Sequence, residues 1–202
     1  MTQQPRVHVI EDDEAVRDSL AMLLTSEGLE VATFALATEF LNEWTPATAG
    51  CMVLDIRMPG MDGMALQQAL NERHSLLPII FVTGHGDVPL AVDAMRRGAV
   101  DFIQKPYRED ALLEKIHAAM ALDAKQRASL EAHQGIRDRL ARLTPRENEI
   151  LHRMVAGQAN KVIAIELDIS QRTVEIHRSR VMHKMGTHSL AHLVRMVMSV
   201  QP

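Results

Sequence analysis

Short apolar runs alternate with stretches of helical spacing over the first 120 positions. Arg6-Val7-His8-Val9-Ile10 is one run, and it opens into Glu11-Asp12-Asp13-Glu14. Val16, Leu20, Leu23 and Leu24 then recur at helical spacing, and Gly28 stands where a left-handed cap belongs. Val31 to Phe34 reads as a second strand, with a short helix around Glu39-Phe40-Leu41 before Pro46. Cys51 to Asp55 is a third strand, and Pro59-Gly60 turns the chain after it. A helix over 63–73, a β-branched strand over 79–83, a helix ending at Arg97, a strand over 101–104 and a helix over 109–120 complete the series.

Strands alternating with helices of about ten residues imply parallel pairing through right-handed crossovers. Strands apolar on both faces suit a sheet covered on both sides. The expected fold is α/β, a five-stranded doubly wound parallel domain over 1–120. Ligands of such sheets bind beyond the carboxyl ends of the strands. That rule gathers Glu11, Asp12, Asp13, Asp55, Thr83 and Lys105 at one edge.

The pattern changes after residue 120. Residues 121–143 are rich in Ala, Arg, Gln, Leu and Glu and read as a mostly helical, solvated linker. Leu130, Ile136, Leu140 and Leu143 do not sustain a heptad. Thr144-Pro145-Arg146-Glu147 then has the marks of a capped helix start. Helices are predicted to about Val155, over 160–167, over 171–185 and over 189–199. A short helix, a tight turn and a longer basic helix form a helix-turn-helix pattern. Residues 144–202 are thus expected to be an all-α four-helix domain.

Charge reinforces this division. Residues 1–120 hold 9 Lys+Arg against 18 Asp+Glu, a net of −9, whereas residues 121–202 hold 13 against 8, a net of +5. A basic second half points to nucleic acid. With 47% hydrophobic residues, a proper core is expected. No apolar run reaches the roughly 18 residues of a membrane span, so no membrane is expected. The opening residues lack a signal-peptide pattern, and the single cysteine, Cys51, suits a reducing cytoplasm.

Several carboxylates in one crevice repel unless a cation joins them. An all-oxygen donor set suits Mg²⁺ and phosphoryl transfer. Asp55 would accept the phosphoryl group, Thr83 would donate to one of its oxygens and Lys105 would pair with another. These residues support an α/β phosphoacceptor domain before any family is considered.

Glu11-Asp12-Asp13, Leu54-Asp55-Ile56-Arg57-Met58-Pro59-Gly60-Met61-Asp62-Gly63, Thr83-Gly84-His85 and Lys105-Pro106 resemble the signature of two-component receiver domains. The resemblance implies strand order 2-1-3-4-5 and phosphorylation of Asp55 by a sensor histidine kinase. It implies Mg²⁺ (or Mn²⁺) held by Asp12, Asp55 and the Arg57 carbonyl. Glu11 stands where the family more often has Asp, and would act through water. A cis Lys105-Pro106 peptide and a switch pair of Thr83 and Phe102 are also implied; core packing is the bland reading of Phe102.

Leu143 to Glu147, Asn160-Lys161-Val162-Ile163-Ala164 and Arg172-Thr173-Val174-Glu175-Ile176-His177-Arg178 resemble the LuxR/NarL/FixJ-type DNA-binding domain. With Gly84 to Pro89 and Leu190 to Arg195, the whole looks closest to the FixJ subgroup of response regulators. Dimerisation of the phosphorylated receiver is implied, with Ala91, Val92 and Met95 near Leu112 and Ile116. Binding to double-stranded promoter DNA is implied, with activation favoured over repression and RNA polymerase as a further candidate partner.

A recognition helix presents its N-terminal half to base edges. Glu175, Ile176, Arg178, Ser179 and Arg180 are the base-reading candidates, while Lys161, Arg172, Thr173, His177 and Lys184 are the phosphate candidates. With only 3% aromatic residues there is no stacking platform for single strands. An aspartyl phosphohydrolase would carry a second Asp two residues after the nucleophile, where this chain has Arg57, so no enzyme is expected. The ten histidines lack metal-ligand spacing.

Overall fold

The computed structural model describes residues 4–84 and 88–200. The chain divides into two units, Met1–Arg127 and Ala128–Pro202.

The first unit is built on five parallel strands: β1 (Arg6–Ile10), β2 (Val31–Phe34), β3 (Gly50–Asp55), β4 (Ile79–Thr83) and β5 (Asp101–Gln104). Their order is β2-β1-β3-β4-β5. The helices are α1 (Glu14–Ser26), α2 (Ala37–Glu43), α3 (Gly63–Glu72), α4 (Val88–Arg96) and α5 (Glu109–Ala141). β3 and β4 are buried at every position, which is why their sequences show no polar alternation. One face of the sheet packs Ile10, Leu54 and Phe81 against Phe40, Leu66 and Leu70. The other packs Val9, Val53 and Val82 against Leu20, Leu24, Leu112 and Ile116. Cys51 is buried core, and burial pushes its thiol up to about 12.

Two expectations change here. Leu112 and Ile116 are fully buried against the sheet, so they do not belong to a dimer surface. They lie four residues apart on one face of α5, and that face covers β1, β3 and β4. Spacing alone shows that such a face is apolar, without showing what it meets. The fifth helix also does not stop near residue 120, but runs to Ala141. Asp123, placed in the solvated linker by sequence, is buried. Its Oδ2 accepts from the Gly50 amide at 2.9 Å, and Arg127 Nε donates to both carboxylate oxygens at 2.9 and 2.8 Å. Arg127 also donates to the Thr48 carbonyl. The pair fastens α5 to the start of β3. Gly50 has φ 115°, and a Cβ there would fall 1.8 Å from the Arg6 carbonyl oxygen.

The second unit contains α6 (Pro145–Val155), α7 (Asn160–Glu166), α8 (Gln171–Met185) and α9 (Leu190–Val200), with the last turns of α5. Thr144 and Glu147 form the expected reciprocal cap of α6, with Pro145 in the first turn. Ile150, Leu151, Met154, Ile163, Val174, Val181, Met185 and Leu193 make the core. Ile136 and Leu140 from α5, and Leu143 after it, pack against that core, so the end of the segment read as a linker is part of this unit.

Candidate phosphoacceptor site and nucleic-acid interface

The strand register builds the first site. Ile10 pairs with Leu54, Asp55 with Val82, and Thr83 with Gln104. The residues that end these strands therefore share one edge of the sheet. Ligand oxygens of Glu11, Asp12 and Asp55 lie within 4.8 Å of one another. Glu11 and Asp55 are buried, while Asp12 is exposed. Lys105 follows β5 after a 2.7 Å hydrogen bond from its amide to the Thr83 carbonyl. Its Nζ lies 2.7 Å from Glu11 Oε2 and 3.4 Å from Asp55 Oδ1. The Lys105-Pro106 peptide is cis. Asp55 Oδ2 also accepts from the Arg57 amide at 3.0 Å.

Local features hold the strand-end loops in place. Asp13 caps α1, its Oδ1 accepting from Ala15 and Val16 at 2.9 and 3.1 Å, which separates it from its acidic neighbours. Gly63 lets α3 begin tightly against the end of β3, where a Cβ would fall 2.4 Å from the Asp55 carbonyl oxygen. Arg17, unremarked in the sequence, donates from Nη1 to the carbonyls of Glu11 at 2.8 Å and Asp12 at 3.3 Å. An arginine one turn into a helix carries no sequence signal for that role.

The electrostatics are unbalanced. Burial raises the Glu11 and Asp55 carboxyls above their ordinary values, despite the opposing pull of Lys105. Burial alone would lower the Lys105 ammonium, but the hydrogen bond and charge of Glu11, and the charge of Asp55, raise it overall. Three carboxylates against one lysine leave room for a further cation. The donors are all oxygen, which fits a hard divalent ion such as Mg²⁺.

Thr83 is buried at the end of β4, and Phe102 is half-buried against the α2–α3 side of the sheet. His85, Gly86 and Asp87 lie outside the described residues. On α4, Ala91 is half-buried, whereas Val92 and Met95 are 44% and 45% exposed.

The second site is the outer face of α8. Ser170 caps this helix, its Oγ accepting from the Thr173 amide at 3.0 Å. Arg146 Nη2 donates to the Leu167 carbonyl at 2.8 Å and braces the turn after α7. Val174, Val181 and Met185 face the core. Arg172, Glu175, Ile176, Ser179 and Arg180 are exposed, and Lys161 is exposed on α7. Positions 172, 175, 176, 179 and 180 form one stripe at helical spacing. His177 and Arg178 are half-buried. So is Thr173, whose hydroxyl is bonded to Ser170 Oγ at 2.8 Å.

Lys184 is a correction. Its ammonium lies 2.6 Å from Glu147 Oε2 and 3.2 Å from the Arg142 carbonyl, so it ties α8 to α6 instead of facing a phosphate. The Lys184 hydrogen bond, with the amide and hydroxyl of Thr144, holds the Glu147 carboxyl down at about 2.

The comparisons with known proteins follow the same division. Residues 7–117 match the response regulator receiver domain, and residues 141–197 match the bacterial regulatory proteins of the luxR family. The chain is 46% identical over 198 residues to the transcriptional regulatory protein FixJ of Azorhizobium caulinodans, covering 98% of this chain and 94% of that protein. FixJ of Bradyrhizobium diazoefficiens is 46% identical over 198 residues, with 98% and 97% covered. Among solved structures, the response regulator StyR matches at 43% identity and a TM-score of 0.91, covering 97% of this chain and 99% of that one. Among the described residues no helix is long and apolar enough to cross a membrane. With one sheet edge gathering Asp55, Asp12, Thr83 and Lys105, a basic helix-turn-helix behind it in sequence, and matches across nearly its whole length, the chain belongs to the two-component response regulators of the FixJ group, in which a receiver domain is joined to a luxR-type DNA-binding domain.

Proposed function

We propose that Asp55 takes a phosphoryl group from a sensor histidine kinase and that this controls promoter binding. The observation that carries the reading is the surplus of carboxylate oxygens around one lysine, within 4.8 Å of one another, at the carboxyl edge of the sheet. An Asp55 carboxylate oxygen attacks phosphorus, the bond from phosphorus to the kinase histidine nitrogen breaks, and an acyl phosphate forms. The nitrogen keeps the bonding pair and takes a proton from solvent. Lys105 moves from Asp55 to a phosphoryl oxygen, and the Thr83 hydroxyl donates to another. Glu11, Asp12, Asp55 and the Arg57 carbonyl would hold Mg²⁺ (or Mn²⁺), which supplies positive charge to the transferring group. Movement of Thr83, with Phe102 turning inward, alters the α4 face.

Dimerisation then uses Ala91, Val92 and Met95 of α4, without Leu112 and Ile116. Two DNA-binding units act together and gain affinity through effective concentration. Arg178, Arg180, Glu175, Ile176 and Ser179 read bases, while Lys161, Arg172, Thr173 and His177 meet phosphates. The unphosphorylated receiver inhibits the DNA-binding half. The outcome is regulation of transcription in the cytoplasm, as an activator that meets RNA polymerase.

Acetyl phosphate with Mg²⁺ tests this reading on wild type and Asp55→Asn. Wild type is expected to gain one phosphoryl group by intact mass, shift to a dimer and bind duplex DNA more tightly; Asp55→Asn is expected to do none of these. Phosphoryl gain by Asp55→Asn would overturn the assignment of the acceptor. Phosphorylated wild type with unchanged oligomer mass and DNA affinity would overturn the switch alone.

A further inference from the structure

We propose that Arg139, in the last turns of α5, is a positioning residue for the recognition helix α8 and so sets DNA specificity without touching DNA. The inference rests on the reading of α8 as the base-reading helix. Arg139 lies upstream of the luxR-family match, which begins at residue 141.

Arg139 Nη1 donates at 3.0 Å to the carbonyl of Met185, the last residue of α8. The guanidinium also lies against Gly186, where a Cβ would stand 3.4 Å from Nη1. A helix ends in carbonyls that lack partners within the helix, and a cation there meets the negative end of its dipole. Arg139 thus caps α8 from a different helix. Ile136 and Leu140, on the same helix, pack into the core of this unit, so the arginine projects from a fixed base. Lys184 makes the return contact, donating to the Arg142 carbonyl just past α5.

α8 has 15 residues, which makes it about 22 Å long and stiff. Its N-terminus is held by the Ser170 cap, and at its C-terminus Arg139 acts beside the Lys184–Glu147 pair and the buried Met185. Removing the Arg139 contact loosens that end without freeing it, and a small tilt of the rod shifts the base-facing side chains of its N-terminal half. Bidentate base contacts depend strongly on geometry, whereas phosphate contacts tolerate small shifts. Loss of Arg139 should therefore cost base readout more than general affinity.

The experiment compares full-length wild type, Arg139→Gln and Arg139→Lys. One duplex is selected from random sequence by the wild-type protein; the other is a scrambled duplex of equal length. Affinities are measured over a series of salt concentrations. Arg139→Gln is expected to lose about fivefold to tenfold on the selected duplex, the scale of one charge-assisted hydrogen bond. Its affinity for the scrambled duplex should be unchanged. The salt slope should also be unchanged, because no phosphate contact is removed. Arg139→Lys, which can still reach one carbonyl, should recover most of the discrimination. Equal losses on both duplexes would mean partial unfolding and overturn the proposal, as would unchanged affinity for both. A salt slope smaller by about one would make Arg139 a phosphate contact instead and also overturn it. If wild type selects no duplex, the DNA-binding reading itself fails.

Discussion

Each unit buries a carboxylate beside a lysine, and the two pairs behave in opposite ways. In the second unit Glu147 faces one ammonium and the Thr144 amide, which donates to the same oxygen, and its carboxyl is held down at about 2. Charge and hydrogen bonds balance there, and the pair fastens α8 to the start of α6. In the first unit Glu11 and Asp55 share Lys105 with Asp12 nearby, and burial drives both carboxyls upward. The counts of charge differ, three acids to one base against one to one. A balanced pair stabilises the fold, while a surplus of negative charge is costly by itself and becomes favourable when a cation joins it. The surplus marks the site poised for chemistry.

The largest expected effect breaks this contrast at its centre. Asp55→Asn should abolish phosphorylation by acetyl phosphate and at the same time raise the melting temperature of the cation-free receiver, since one member of the repelling cluster is gone. Trp44, the single tryptophan, lies in the receiver and reports that unit by fluorescence. A lower melting temperature for Asp55→Asn would show that Asp55 is balanced after all.

Adding Mg²⁺ should stabilise the receiver by about 2.7 kcal/mol at one hundred times its dissociation constant. Asp12→Ala should remove most of this gain. Replacing Glu147 by Gln should give no Mg²⁺ effect but destabilise the second unit by roughly 1–3 kcal/mol, since a buried charge-assisted pair loses one partner. Far-UV circular dichroism during urea unfolding measures that loss.

The pH dependences should have opposite signs. The Glu147 carboxyl is depressed when folded, so its contribution is present above its unfolded value near 4.5 and lost as pH falls towards about 2. Glu11 and Asp55 are raised when folded. Their contribution is complete below their unfolded values and lost as pH rises through the folded ones. Without divalent cation, Trp44-monitored stability should therefore fall as pH rises through the elevated carboxyl values, and Mg²⁺ should remove that fall. A receiver whose stability rises with pH over that window would contradict the imbalance.

A last contrast concerns the surfaces. Met95→Glu should leave the monomer folded and prevent dimerisation on phosphorylation, measured by light scattering. Leu112→Ala should instead cost about 2–5 kcal/mol through the cavity it leaves. Equal loss of dimer with no loss of stability in Leu112→Ala would restore it to the interface.

The sequence by itself determined what depends on neighbours along the chain. Five apolar runs, their polar terminators and the order of alternation specify a parallel sheet and place Glu11, Asp12, Asp55, Thr83 and Lys105 at one edge, because parallel strands of similar length end together. The Thr144–Glu147 cap is equally legible, since both partners lie within one helical turn. Tertiary structure alone decided which apolar face meets which surface and which charge finds which partner. Leu112 and Ile116 are core because α5 covers that face of the sheet. Lys184 is withdrawn from the DNA-facing surface by an acid 37 positions away. Asp123 is buried by an amide 73 positions away. No local pattern encodes those pairings, because hydrophobic burial is non-directional and an ion pair depends on proximity in space, which only the closed fold provides.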